Sequence, residues 1–134
     1  MSRFFADAWF YIALLDADDQ GHVRAAAWVE AGGGRIVTTR WVLAEVANSL
    51  SAPALRGVTA DFLYVLETLT EVKIAQDSDG LYARGLALYS RRADKEWSLT
   101  DCISFLVMAD EGLSDALTND HHFEQAGFTA IFAA

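Results

Sequence analysis

Four acids, Asp7, Glu45, Asp101 and Asp120, stand at positions where a carboxylate can bind a divalent cation. Asp7 ends the short apolar run Arg3 to Ala6, and Asp120 closes the run Ala116-Leu117-Thr118-Asn119. Asp101 opens the segment Cys102-Ile103-Ser104-Phe105-Leu106-Val107-Met108-Ala109, apolar almost all round and therefore expected to be a buried helix. On a helical wheel Glu45 is flanked by Trp41 and Val42, with Val46 further round the same apolar arc. Each acid also has an ordinary structural role open to it. Asp7 and Asp120 suit helix N-caps, Ser98 and Asp101 have the spacing of a capping box with aspartate replacing the usual glutamate or glutamine, and Glu45 can snorkel to water. Taken together they predict three carboxylates at element junctions on one sheet edge and a fourth on a neighbouring helix face. Acids gathered without cations repel one another and raise each other's pKa. A divalent metal resolves that repulsion, and all-oxygen ligation suits Mg²⁺ or Mn²⁺ rather than zinc.

These residues need elements to position them. Arg3 to Ala6 reads as a strand, Trp9 to Leu15 as a helix, Asp16 to Gln20 as a polar break, and His22 to Glu30 as a helix closed by Gly32-Gly33-Gly34. Ile36 to Thr39 is a β-branched strand, and Trp41 to Leu50 a helix ending near Pro53. Thr59 to Leu69 has the spacing of an amphipathic helix, with Phe62, Leu63, Leu66 and Leu69 on one side. Val72 to Ala75 is a brief strand and Leu81 to Arg92 a helix. Ser98 opens a helix to about Asp110. Asp115 to Thr118 is a strand, Asp120 to Gln125 a short helix and Thr129 to Phe132 a last strand. Strands alternating with helices imply an α/β fold whose largely parallel sheet gathers its strand C-termini along one edge, where ligands bind.

Length and composition agree with one domain spanning residues 1–134. The chain is 53% hydrophobic and 12% aromatic with a single proline, which supplies a core and argues against disorder. One cysteine, Cys102, excludes an internal disulfide and any cysteine-based zinc site, and its apolar surroundings make it a small buried hydrophobe. Arg3 is followed by an aspartate-interrupted segment rather than the clean apolar stretch of a signal peptide, and no apolar run is long enough to span a bilayer. The expectation is a soluble, cytoplasmic protein. The net charge of −9 runs against the basic character usual in nucleic-acid binders. Four site acids account for fewer than half of the 19 acids, so the remainder form a solvated surface. Arg84, Arg91, Arg92 and Lys95 are the one clear basic concentration, able to grip phosphates or simply to suit a helix C-terminus. His121 and His122 are adjacent, and neighbouring helical side chains point in different directions, so they are not expected to share one metal.

Several segments together resemble the PIN domain, in its compact VapC-like branch of ribonuclease toxins. They are Phe5-Ala6-Asp7, Thr39-Arg40-Trp41-Val42-Leu43-Ala44-Glu45, Trp97-Ser98-Leu99-Thr100-Asp101-Cys102, and Leu117-Thr118-Asn119-Asp120-His121-His122-Phe123 with Ala126-Gly127-Phe128. They fall in the family's order and cover essentially the whole chain. The resemblance implies a three-layer α/β/α sandwich with a central parallel sheet, and Mg²⁺- or Mn²⁺-dependent hydrolysis of RNA that needs no histidine or lysine base. It assigns Asp7, Glu45, Asp101 and Asp120 to an acidic quartet, with Thr118 and Asn119 in support. Ala8 departs from the pattern, since many relatives carry serine or threonine just after the first aspartate. The resemblance further implies a small antitoxin partner and a homodimer, for which the helices Trp9 to Leu15 and Thr59 to Leu69 either offer apolar surface or are simply core.

The rival class is a catalytically silent PIN-fold interaction module, against which the four intact acids argue. A haloacid-dehalogenase-type phosphatase expects a second aspartate two residues after the first, where Trp9 stands. A phospho-accepting receiver domain expects adjacent acids near the first strand's end and a late lysine, and no lysine follows Lys95.

Overall fold

The computed structural model describes residues 2–77 and 80–134. Its strands are β1 (Arg3–Ala6), β2 (Arg35–Thr39), β3 (Val72–Ala75), β4 (Asp115–Leu117) and β5 (Thr129–Ala130). Its helices are α1 (Ala8–Leu15), α2 (His22–Glu30), α3 (Arg40–Ser49), α4 (Pro53–Leu66), α5 (Leu81–Arg91), α6 (Leu99–Glu111) and α7 (His121–Gln125). The strands form one sheet in the order β3-β2-β1-β4-β5, every neighbouring pair parallel. Right-handed crossovers in that order put α1 to α4 on one face and α5 to α7 on the other. The expected α/β/α sandwich with a parallel sheet is therefore the fold.

A parallel sheet covered on both faces buries its central strands, so these read as continuous apolar runs. Phe5 and Ala6 of β1, Val37 of β2, and Ala116 and Leu117 of β4 are all buried. The polar exceptions in β2 are Thr38 and Thr39, and Thr39 Oγ1 accepts from the Val42 amide at 3.2 Å to cap α3. Thr38 is fully buried and its Oγ1 donates to the Ala6 carbonyl at 2.9 Å, tying β2 to β1. The apolar girth of α6 is explained the same way, with Cys102, Ile103, Ser104, Phe105, Val107 and Met108 buried between the sheet and α5. Ile103 packs against Gly85 so closely that a Cβ there would collide with it, so glycine sets the α5–α6 spacing.

The differences from expectation are local. Helix α4 begins at Pro53, six residues before Thr59, and ends at Leu66 rather than Leu69. Proline is tolerated in a first turn because its missing N–H would have no partner there. Strand β5 stops at Ala130 instead of Phe132. Helix α1 is core rather than docking surface, with Ala8, Phe10, Tyr11 and Ala13 buried, whereas α4 does expose Val58, Tyr64 and Val65. Cys102 is buried as expected. Among the described residues, no helix is long and apolar enough to cross a membrane.

Candidate active site

The ends of β1 and β4 and the starts of α1, α6 and α7 carry three of the four acids. Asp7 follows β1 and stands at the N-cap position of α1, yet its side chain makes no capping hydrogen bond. Instead Asp7 Oδ2 accepts from Thr118 Oγ1 at 2.8 Å, just beyond β4. The same Thr118 oxygen accepts from the Asp120 amide at 3.1 Å. Asp7 is thus not explained as a cap. It is 7% exposed, and burial, partly offset by the Thr118 hydroxyl and the Ala8 amide, raises its carboxyl pKa to about 7. The charges of Asp101 and Glu45 push in the same upward direction.

Asp101 and Asp120 do perform the structural roles open to them. Ser98 Oγ accepts from the Asp101 amide and Asp101 Oδ2 accepts from the Ser98 amide, each at 3.0 Å, which completes the capping box of α6. Asp120 Oδ1 accepts from the His122 amide at 2.9 Å and caps α7. Capping does not exhaust either side chain, since a carboxylate has room for about four hydrogen-bond partners. Asp101 has a raised pKa, from burial first and from the nearby Asp120 charge, with the Ser98 amide and His122 opposing. Glu45, on the second turn of α3, lies at the solvent rim. Partial burial of its carboxyl raises its pKa, and the charges of Asp101 and Asp120 add to this. The four acids therefore lie within electrostatic reach of one another, and among the described residues no lysine or arginine forms an ion pair with any of them.

One side chain set aside by the sequence reading joins this group. His122 Nδ1 is buried, 3.3 Å from Asp101 Oδ2 and 3.4 Å from Asp120 Oδ1, without hydrogen-bond geometry to either. Neighbouring side chains do diverge on a long helix, but α7 is five residues long and the His121 and His122 ring centroids are 4.4 Å apart. Asp120, His121 and His122 can bring ligand atoms within 4.8 Å of one another. These three are consecutive in sequence, whereas the approach of His122 to Asp101 depends on the packing of α7 on α6. Asn119, between Thr118 and Asp120, is exposed.

The basic concentration is divided. Arg84 forms a two-pronged ion pair with Asp110 at 2.8 and 2.9 Å, and Arg92 pairs with Asp94 while lying 4.9 Å from the Trp97 ring centroid. Arg91 and Lys95 form no ion pair among the described residues. Arg92 and Lys95 line a groove that reaches Ser98, the cap of the helix bearing Asp101.

A five-stranded parallel sheet with acids gathered at its C-terminal edge defines a class, and the family comparison agrees. Residues 4–129 match the PIN domain model, and the chain belongs to the PIN domain family. It is similar, at 27% identity over 128 residues covering 95% of this chain and 96% of the relative, to the 23S rRNA-specific endonuclease VapC20 of Mycobacterium tuberculosis. The crystal structure of that protein, described as a sarcin-ricin loop cleaving toxin, superposes with a TM-score of 0.85 at 25% identity over 97% of this chain and 98% of that one. A toxin-antitoxin complex from Klebsiella pneumoniae shares the fold at a TM-score of 0.59 and 19% identity, over 88% of this chain and 87% of that one. FitAcB from Neisseria gonorrhoeae does so at 0.58 and 15% identity, over 95% of both chains.

Proposed function

We propose that the chain is a divalent-metal-dependent endoribonuclease and the toxin of a type II toxin-antitoxin pair, with Asp7, Glu45, Asp101 and Asp120 as its metal-binding and catalytic acids. The observation that carries this reading is the buried Asp7 carboxylate. It is held by the Thr118 hydroxyl and the Ala8 amide, has no cationic partner among the described residues, and stands among three further acids. Burying a charge in this way is costly unless something pairs it. The donor set is mostly carboxylate oxygen with one imidazole nitrogen at its margin, which fits Mg²⁺ or Mn²⁺.

Within this reading Asp7, Asp101 and Asp120 hold the cation from the protein side, with Glu45 closing the site from the solvent rim. When bound, the cation lowers the pKa of an attacking water and offsets charge on the phosphate and leaving oxygen. Thr118 fixes the Asp7 carboxylate and, through the Asp120 amide, the turn that presents Asp120. Lys95, which lines the groove that reaches Ser98, and Arg91, neither of them in an ion pair among the described residues, are available to hold flanking phosphates. Likeness to VapC20 makes ribosomal RNA the favoured substrate class. A small antitoxin, a homodimeric state and a cytoplasmic location belong to the same reading.

The test is cleavage of labelled total RNA and of intact ribosomes in Mg²⁺, Mn²⁺ and chelator, beside Asp101→Asn. Asparagine keeps an oxygen for the Ser98 amide, so the helix cap survives while the charge is lost. Metal-dependent cutting abolished by the substitution supports the nuclease. If neither cutting nor Asp101-dependent metal binding by calorimetry is seen, a catalytically silent interaction module takes its place.

A further inference from the structure

A second polar cavity, of about 350 Å³, opens beside the acids between Trp9, the turn at residues 19–21, Arg24 and Asn119. We propose that it receives one unpaired nucleobase of the RNA, from the nucleotide next to the phosphate being cut. The proposal rests on the nuclease reading above and adds a base-recognition subsite to it.

The walls are fixed before any ligand arrives. Asp19 Oδ1 accepts from the Gly21 amide at 2.8 Å, which sets the turn. Gly21 is buried against Trp9, and a Cβ there would lie 2.5 Å from the indole Cζ2, so the ring can rest on the turn only because residue 21 has no side chain. Phe132 holds the indole from elsewhere, with ring centroids 4.9 Å apart. Arg24 is steadied by donating Nη1 to the Phe132 carbonyl at 2.9 Å, with its guanidinium carbon 5.3 Å from the Phe132 ring centroid.

The polar groups on these walls are mixed in kind. Asp19 offers a second oxygen that accepts only, Arg24 offers further N–H groups that donate only, and the Gln20 and Asn119 amides offer both. Neither amide side chain has a hydrogen-bond partner among the described residues. A phosphate asks for donors alone, and the Asp19 carboxylate would repel it. The edge of a nucleobase alternates donors and acceptors, and RNA-specific proteins read that edge on splayed, unpaired bases. The cavity has room for one such base and none for a duplex. Its position supplies the register, because Asn119 lies between Thr118 and Asp120, and Trp9 comes two residues after Asp7. For a chain of net charge −9, selection by base contacts also avoids reliance on overall attraction to RNA.

The deciding experiment is a ¹H–¹⁵N titration of the Trp9 indole resonance, assigned with Trp9→Phe, in Mg²⁺. The probes are the four nucleoside 5′-monophosphates and ribose 5-phosphate. At least one nucleotide is expected to shift the resonance saturably, ribose 5-phosphate is not, and Gln20→Ala with Asn119→Ala is expected to weaken the shift about tenfold for the loss of two hydrogen bonds. On RNA, the same double variant should flatten the base preference at the nucleotide flanking the cut, read by sequencing the new ends. Equal shifts from ribose 5-phosphate, no shift from any nucleotide, or an unchanged base preference would each overturn the proposal. The titration needs no cleavage, so it decides the cavity even if the nuclease reading fails.

Discussion

The hydroxyl of Thr118 donates to the Asp7 carboxylate at 2.8 Å and accepts from the Asp120 amide at 3.1 Å, so one side chain aligns two acids 113 residues apart in sequence (120 − 7). Thr118→Val keeps the shape and removes both bonds, leaving the buried carboxylate with the Ala8 amide alone. The expected cost is about 1–3 kcal/mol of stability near neutral pH, measured by urea unfolding. Thr118→Ser should recover most of it. A valine variant as stable as the parent would show that the bond is idle.

The raised pKa of Asp7 makes the metal-free protein sensitive to pH in a defined sense. Between the unfolded value of 3.8 and the folded value of about 7, the native state holds more protons than the unfolded one. Stability therefore falls as pH rises across that window, and the raised values of Glu45 and Asp101 act in the same direction. Thermal melts in chelator should show a higher Tm near the acid end of the window than above it, and Asp7→Asn should flatten the slope. A Tm that climbs steadily from about pH 5 to about pH 8 would contradict the assignment.

Metal should reverse that trend. A cation that binds only the folded protein stabilises it by about 2.7 kcal/mol at a concentration of about 100 times Kd. Mn²⁺ should raise Tm more above about pH 7 than below it, because protons must leave before the cation can bind. Asp101→Asn should abolish most of the gain. An equal gain in the variant would move the metal to some other place.

His122 stands 3.3 Å from Asp101 and 3.4 Å from Asp120, and its loss should loosen the pair. His122→Leu is expected to weaken Mn²⁺ binding by about tenfold, in the range seen when outer-shell partners of metal sites are removed. His122→Asn places an amide N–H near the position of Nδ1 and should restore part of the affinity. Calorimetry giving the same affinity in all three proteins would make His122 a bystander.

Much of this site is legible in the sequence because the acids sit at element boundaries that local chemistry marks. Asp101 is the plainest instance, since its capping-box spacing and the apolar helix behind it are both local facts and both hold. Asp7 is the opposite. Its sequence neighbours make it a cap, while its actual partner lies beyond β4 and is found only once the sheet is assembled. His122 stands out in the sequence beside His121, but its approach to Asp101 does not, since it depends on α7 packing against α6. The early start of α4 escaped because Gly57 and the exposed first turns give no apolar period before Thr59. Strand β5 was overdrawn because Ile131 and Phe132 look β-prone, yet pairing with β4 ends at Ala130.

The central place of β1 in the sheet, between β2 and β4, bears on how the protein is made. Asp7 leaves the ribosome more than a hundred residues ahead of its neighbouring strand β4 and its hydrogen-bond partner Thr118. No nascent chain that stops short of Asp120 can own the complete quartet. On the function proposed above, the site can therefore close only after Asp120 has itself left the ribosome.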